Sequence, residues 1–169
     1  MRSALAALIL TTAALSAGAD STAPLPIRPI GAVKMSAFSG IPDMFGLAAS
    51  LDVLQPLRIE VGASTLIIEI SAYGRMGYAL PLLSTRDASG SGWTLRLPFL
   101  LGARYMASYF DTLTEQWAAT ADVGLNATYW LAPHTGLDIE LVGGYVYWLP
   151  GSNGTPVPFD ARLTIGMAF

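Results

Sequence analysis

The last eleven residues, FDARLTIGMAF, alternate without a break: Phe159, Ala161, Leu163, Ile165, Met167 and Phe169 on one parity, Asp160, Arg162, Thr164, Gly166 and Ala168 on the other. Successive side chains of a strand point to opposite faces, so this rhythm defines a strand with one apolar face and one polar face. No other feature constrains the fold as much, because the same period of two runs through nearly the whole chain.

Seven further segments carry it. AVKMSAFS sets Val33, Met35 and Ala37 against Lys34, Ser36 and Phe38, and FGLAASLDV sets Phe45, Leu47, Ala49, Leu51 and Val53 against Gly46, Ala48, Ser50 and Asp52. The IPDM between them suits a tight turn. LRIEVGA opposes Leu57, Ile59 and Val61 to Arg58, Glu60 and Gly62, and YGRMGYALPL opposes Met76, Tyr78 and Leu80 to Arg75, Gly77 and Ala79. In WTLRLPFLLGARYMA the bulky parity is Trp93, Leu95, Leu97, Phe99, Leu101, Ala103 and Tyr105, facing away from Thr94, Arg96 and Arg104. WAATADVGLNATYWL and LDIELVGGYVYW follow with Asp122 and Asn126, then Asp138 and Glu140, on their polar parities. Between the third and fourth segments STLIIEIS fits neither face cleanly; it either extends both strands or forms a loop. Eight strands joined by turns predict an up-and-down antiparallel meander.

Charge separates the two faces. The polar parities hold Lys34, Arg58, Arg75, Arg96, Arg104 and Arg162 together with Asp52, Glu60, Asp122, Asp138, Glu140 and Asp160, six of each sign, and the apolar parities of these segments hold none. A soluble sandwich would put its polar face in water, but only 12% of this chain is charged, where about a quarter is usual for a soluble domain. The bulky parity is also too large for the interior of a small barrel, whereas Gly, Ala, Ser and paired charges fit it. The large residues therefore point outward, into lipid, and in lipid the backbone must be paired internally, so the sheet must close. The expected fold is an all-β, eight-stranded antiparallel up-and-down transmembrane β-barrel. Outward aromatics near strand ends, Trp93, Tyr105, Tyr129, Tyr147 and Phe159, are expected to form girdles at the two interfaces.

Residues 1–19 carry one positive charge at Arg2, an uncharged stretch from Ala4 to Leu15 and an Ala17-Gly18-Ala19 cleavage pattern, which predicts a cleaved signal peptide and a mature chain beginning at Asp20. The apolar stretch is too short to span a bilayer as a helix. Residues 20–29 read as an extended, proline-rich lead-in, and residues 30–169 as the barrel. The absence of cysteine excludes disulfides and thiolate chemistry, and a net charge of -3 argues against nucleic acid as a partner.

Over roughly residues 30–169 the chain resembles the small eight-stranded outer-membrane β-barrel proteins of Gram-negative bacteria. Its last strand resembles the C-terminal signal that the family's assembly machinery reads, in which a terminal Phe, here Phe169, follows apolar alternates, here Ile165 and Leu163. Met167 stands where the family often carries an aromatic. The resemblance implies an outer-membrane location, lipid and the barrel assembly machinery as partners, and Phe169, Met167 and Ile165 as the assembly signal.

For activity the sequence favours a non-enzymatic structural or surface-interaction barrel with a charge-paired, side-chain-filled lumen, expected to be a monomer without cofactor or metal. The alternatives are a small pore or ligand carrier and, third, a lipid-modifying enzyme. The single histidine, His134, lies in APHTG; with Phe169 in the periplasm, counting back puts His134 in the periplasm too, the wrong end for outer-leaflet lipid chemistry. By the same count IPDM, STLIIEIS, FDTLTEQ and PGSNGTPVP face outward. Inside the barrel, Arg96 and Arg104 are expected to face carboxylates, with Asp122 and Glu140 as their partners.

Overall fold

The computed structural model describes residues 31–54, 56–66, 69–108, 114–150 and 158–169. The signal peptide and lead-in expected over residues 1–29 lie outside them. Eight strands follow one another: β1 Val33–Ile41, β2 Phe45–Leu54, β3 Leu57–Leu66, β4 Glu69–Ser84, β5 Gly92–Ser108, β6 Thr114–Ala132, β7 Thr135–Trp148 and β8 Phe159–Ala168. Each pairs antiparallel with the next, and β8 returns to β1, so the sheet closes into an all-antiparallel barrel with no free edge. Phe169 completes the seam, exchanging both backbone hydrogen bonds with Val33, at 2.8 and 3.0 Å.

The described part of STLIIEIS continues the ladder: β3 runs on to Leu66 and β4 starts at Glu69, with Ser64 opposite Ser71. FDTLTEQ is not all loop either, because β6 begins at Thr114 and pairs it with Ser108. The β5–β6 and β7–β8 connections otherwise lie outside the described residues.

Parity is kept around the wall. Met35, Leu47, Val61, Met76, Leu101, Val123, Leu141 and Ile165 are exposed on the outside, and their chain neighbours point inward. Three register shifts, at Asp52/Leu54, Pro81/Leu83 and Trp130/Ala132, mark irregularities near strand ends. Antiparallel order puts both ends of the described barrel, Gly31 and Phe169, at one mouth, called the terminal mouth below. The β2–β3, β4–β5 and β6–β7 turns share it, and the β1–β2 turn and the opposite ends of the strands stand at the distal mouth.

Aromatic pairs stand at both heights. Trp93 of β5 packs on Tyr129 of β6 near the terminal mouth, ring centroids 4.9 Å apart, and Tyr105 packs on Trp117 near the distal one at 5.0 Å. Each pair of positions on one strand is twelve residues apart. That is ~40 Å of strand, or about 28 to 33 Å of height at the tilt of transmembrane barrels. The spacing matches the thickness of a bilayer's hydrocarbon core.

Candidate functional site

The interior of the barrel is where chemistry-bearing side chains converge. Lys34, Asp52, Arg58, Glu60, Arg75, Arg96, Arg104, Asp122, Asp138, Glu140, Asp160 and Arg162 are all buried inside it. They enter from all eight strands, because each strand contributes its polar parity to the same narrow space.

Room for them comes from glycine. Arg58 stands opposite Gly77, Arg75 opposite Gly102, Asp122 opposite Gly144 and Arg162 opposite Gly40 in the register of the sheet. A Cβ on Gly102 would lie 2.4 Å from the Arg75 Cγ, and one on Gly144 only 2.0 Å from the Asp122 Oδ1. Two aromatic rings use the same device: Phe38 covers Gly46 and Tyr73 covers Gly62, where a Cβ would meet the rings at 2.2 and 2.4 Å. The Arg162 guanidinium lies over both rings, 5.4 Å from the Phe38 centroid and 4.7 Å from that of Tyr73. Arg75, Asp122, Arg162, Phe38 and Tyr73 thus lie against the bare backbone of a neighbouring glycine.

The charges form a ladder of alternating sign. Lys34 bridges Asp138 at 2.8 Å and Glu140 at 2.9 Å; Glu140 also accepts from Arg58 at 2.6 Å. Arg58 reaches Glu60 at 2.5 Å, Glu60 in turn accepts from Arg75, and Arg75 binds Asp122 at 2.7 Å. Seven residues from five strands are joined without a gap, and Asn126 and Thr128 donate to its carboxylates at 2.6 to 3.0 Å. Buried charges are tolerable only when paired in this way, because desolvation otherwise costs several kcal/mol per ion.

Two pairings differ from those expected. Arg96 holds Asp52 of β2 through both terminal nitrogens at 3.0 Å, and Arg104 holds Asp43, with Asp160 3.8 Å away. Asp122 and Glu140 belong to Arg75, Lys34 and Arg58 instead. Asp43 is the residue the sequence reading missed: the turn between β1 and β2 directs it into the barrel, where it is buried and also accepts from Ser71 at 3.1 Å. With Asp43 the interior holds seven carboxylates against six cations.

Near the terminal mouth Trp130 is fully buried, and its indole donates to Thr94 Oγ1 at 3.0 Å. Several buried polar atoms lack a hydrogen-bond partner, among them Asp43 Oδ2, Arg104 Nε, Thr120 Oγ1 and Arg162 Nη2 towards the distal mouth and Arg58 Nε, Arg75 Nε and Asn126 Oδ1 within the ladder. His134 is exposed on the β6–β7 turn, away from the ladder. Among the described residues there is no group of His, Cys, Asp and Glu arranged to hold a metal ion. Of the aromatics expected in girdles, Trp93, Tyr147 and Phe159 are exposed and Tyr105 and Tyr129 half-buried, each against a neighbouring ring in the last two cases. Phe169, Met167 and Ile165 are exposed on the outer face of the seam.

Closed, eight-stranded, apolar outside and charged within, the chain has the fold of the small outer-membrane β-barrels of Gram-negative bacteria. Among solved structures it is similar to the N-terminal β-barrel domain of Pseudomonas aeruginosa OprF, with 16% identity and a TM-score of 0.52, covering 83% of this chain and 98% of that one. It is also similar to Neisserial surface protein A, with 13% identity and a TM-score of 0.52, covering 81% of this chain and 92% of the other. At these identities the likeness is one of fold. No protein-family model matches the sequence, and no curated protein matches it either.

Proposed function

We propose that the chain is a non-enzymatic outer-membrane barrel with a structural or surface-interaction role, its lumen filled by its own charge-paired side chains. The observation that carries this reading is the unbroken ladder from Asp138 to Asp122, which crosses the interior and ties five strands together. A filled lumen leaves the outer rim, and not the interior, as the place for partners. In this reading residues 1–19 are removed on export, the terminal mouth faces the periplasm, the girdle aromatics sit in the two interfaces, and Phe169, Met167 and Ile165 present the strand to the assembly machinery. The barrel is a monomer whose surroundings are lipid.

The rival reading is a small pore, and the unpaired polar atoms inside the barrel favour it, since such atoms are usually met by water. Purified protein in planar bilayers separates the two. The filled barrel gives no steady current, and a steady, ion-selective conductance overturns it. Fractionation tests the address: the mature chain belongs with the outer membrane and shows heat-modifiable migration, and recovery in the soluble periplasm contradicts the reading.

A further inference from the structure

The ladder accounts for the middle of the barrel but not for its terminal mouth, where a turn does something the strands do not require. Residues 85–91 join β4 to β5 and fold back over the opening. The Arg86 guanidinium lies 4.6 Å from the centroid of the Trp130 ring. It donates to Gly90 O at 3.0 Å and to Pro133 O, on the β6–β7 turn, at 2.7 Å. Ser91 Oγ adds a bond to Trp130 O at 3.1 Å. One cation thus ties two neighbouring turns to the indole that lies across the mouth.

Two more observations make the turn a built unit. Asp87 Oδ1 accepts from Ser89 N at 2.9 Å, Ser89 Oγ at 2.5 Å and Ser91 N at 3.1 Å, so the loop holds its own shape. Gly90, at φ 83°, is buried against Pro133, where a Cβ would lie 2.6 Å from the proline Cα. Thr94, which accepts from the indole, is all but inaccessible, as are Ala32 and Ala168 at the same end of the barrel, and Asp138 and its partner Lys34 begin the ladder two residues further in along β7.

We propose that the β4–β5 turn is a stopper that seals the terminal mouth of the lumen, with Arg86 as its lock on Trp130. The inference rests on the filled-lumen reading and deepens it: the side chains fill the barrel, and the stopper keeps water and solutes from the innermost ion pairs. A guanidinium flattened on an indole gains from both the cation and the stacking, and its planar fork reaches two carbonyls at once. Lysine reproduces the charge alone.

The chain has no cysteine, so a single introduced thiol reports on the mouth without background. Thr94→Cys in the full-length protein, folded in vesicles, is exposed to a small charged methanethiosulfonate, and Ser89→Cys on the exposed rim gives the reference rate. Only the heat-modifiable, folded band is counted. Thr94→Cys should label at least a hundredfold more slowly than Ser89→Cys. Adding Arg86→Ala should speed it at least tenfold, and Arg86→Lys by an intermediate factor. Should Arg86→Ala fail to fold, Asp87→Ala loosens the same turn and should also speed labelling. Fast labelling with Arg86 in place, or a rate that neither Arg86→Ala nor Asp87→Ala changes, overturns the stopper. Current through the unmodified barrel in planar bilayers would instead overturn the filled lumen, so the two failures are separate.

Discussion

Glu140→Gln tests the ladder at its most connected point. Glu140 Oε2 accepts from Lys34 at 2.9 Å, Arg58 at 2.6 Å and Asn126 at 3.0 Å, and the side chain is 1% exposed. Glutamine keeps the shape and one acceptor but removes the charge, leaving two cations to the flanking carboxylates. Removing one partner of a buried pair costs roughly 3 to 5 kcal/mol. Lys34 keeps Asp138 at 2.8 Å and Arg58 keeps Glu60 at 2.5 Å, which places the loss at the lower end of that range. About 3 kcal/mol is therefore expected. Urea unfolding in lipid vesicles, followed by the loss of the heat-modifiable form, measures it against Glu115→Gln at the exposed start of β6, where less than about 0.5 kcal/mol is expected. Adding Lys34→Met to Glu140→Gln should deepen the loss, because it leaves the buried Asp138 without its cation. A loss below about 1 kcal/mol, equal to that of Glu115→Gln, would refute the claim that the ladder is a desolvated, mutually dependent network.

The other predictions follow from single features. Gly62→Ala drives a Cβ into the Tyr73 ring and should destabilise the barrel by about 1 to 3 kcal/mol in the same assay, whereas Gly74→Ala, whose Cβ meets nothing within 4 Å, should be neutral or slightly stabilising. Deleting Phe169 removes both seam hydrogen bonds to Val33 as well as an exposed outer aromatic, and should leave most of the protein uninserted when membrane fractions are blotted. Hydrogen bonds from Ser89, first from its side chain, hold the exposed Asp87 carboxyl below its ordinary value of 3.8. A carboxylate lowered in the folded state contributes above its unfolded value and loses that contribution as pH falls through the lowered one. Pepsin should accordingly nick the β4–β5 turn faster only once the pH drops below 3.8, and Asp87→Ala should be nicked quickly above it as well.

The strands and the inward parity are legible in the sequence because the pleat permits only two directions, and one choice at Lys34 or Arg162 fixes a whole strand. Which charges meet is not legible in the same way. Arg96 of β5 finds Asp52 of β2, three strands away around the wall, because strands in a barrel are tilted and staggered, so equal steps along neighbouring strands reach different heights. Across so narrow a lumen the opposite wall is as near as the adjacent strand. Asp43 escaped for another reason: Pro42 and the short IPDM read as a solvent turn, and only closure of the sheet makes the inner side of that turn part of the interior. The glycines did carry a signal. Gly46, Gly62, Gly77, Gly102 and Gly144 all lie on inward parities, and each stands opposite a bulky or charged inward residue once register is known.

Why a barrel should fill itself with ions, when well-packed apolar residues are often as stabilising, follows from register. A slip of one residue along any strand exchanges its two faces. In a soluble sheet that error exposes some apolar surface to water, but in this barrel it carries charges into hydrocarbon, at about 2 to 4 kcal/mol for each Arg or Lys near the midplane. β5 alone places Arg96 and Arg104 on its inward face, so slipping that strand costs several kcal/mol before any ion pair is lost. The glycines act against slips of two residues, which keep the faces, since the Arg75 side chain has space over Gly102 whereas the next inward positions of β5 are filled by Leu100 and Arg104. Charge and space together therefore select one register out of several with equal backbone hydrogen bonding. The ladder's contribution to specifying the fold exceeds its contribution to the stability of the fold once formed.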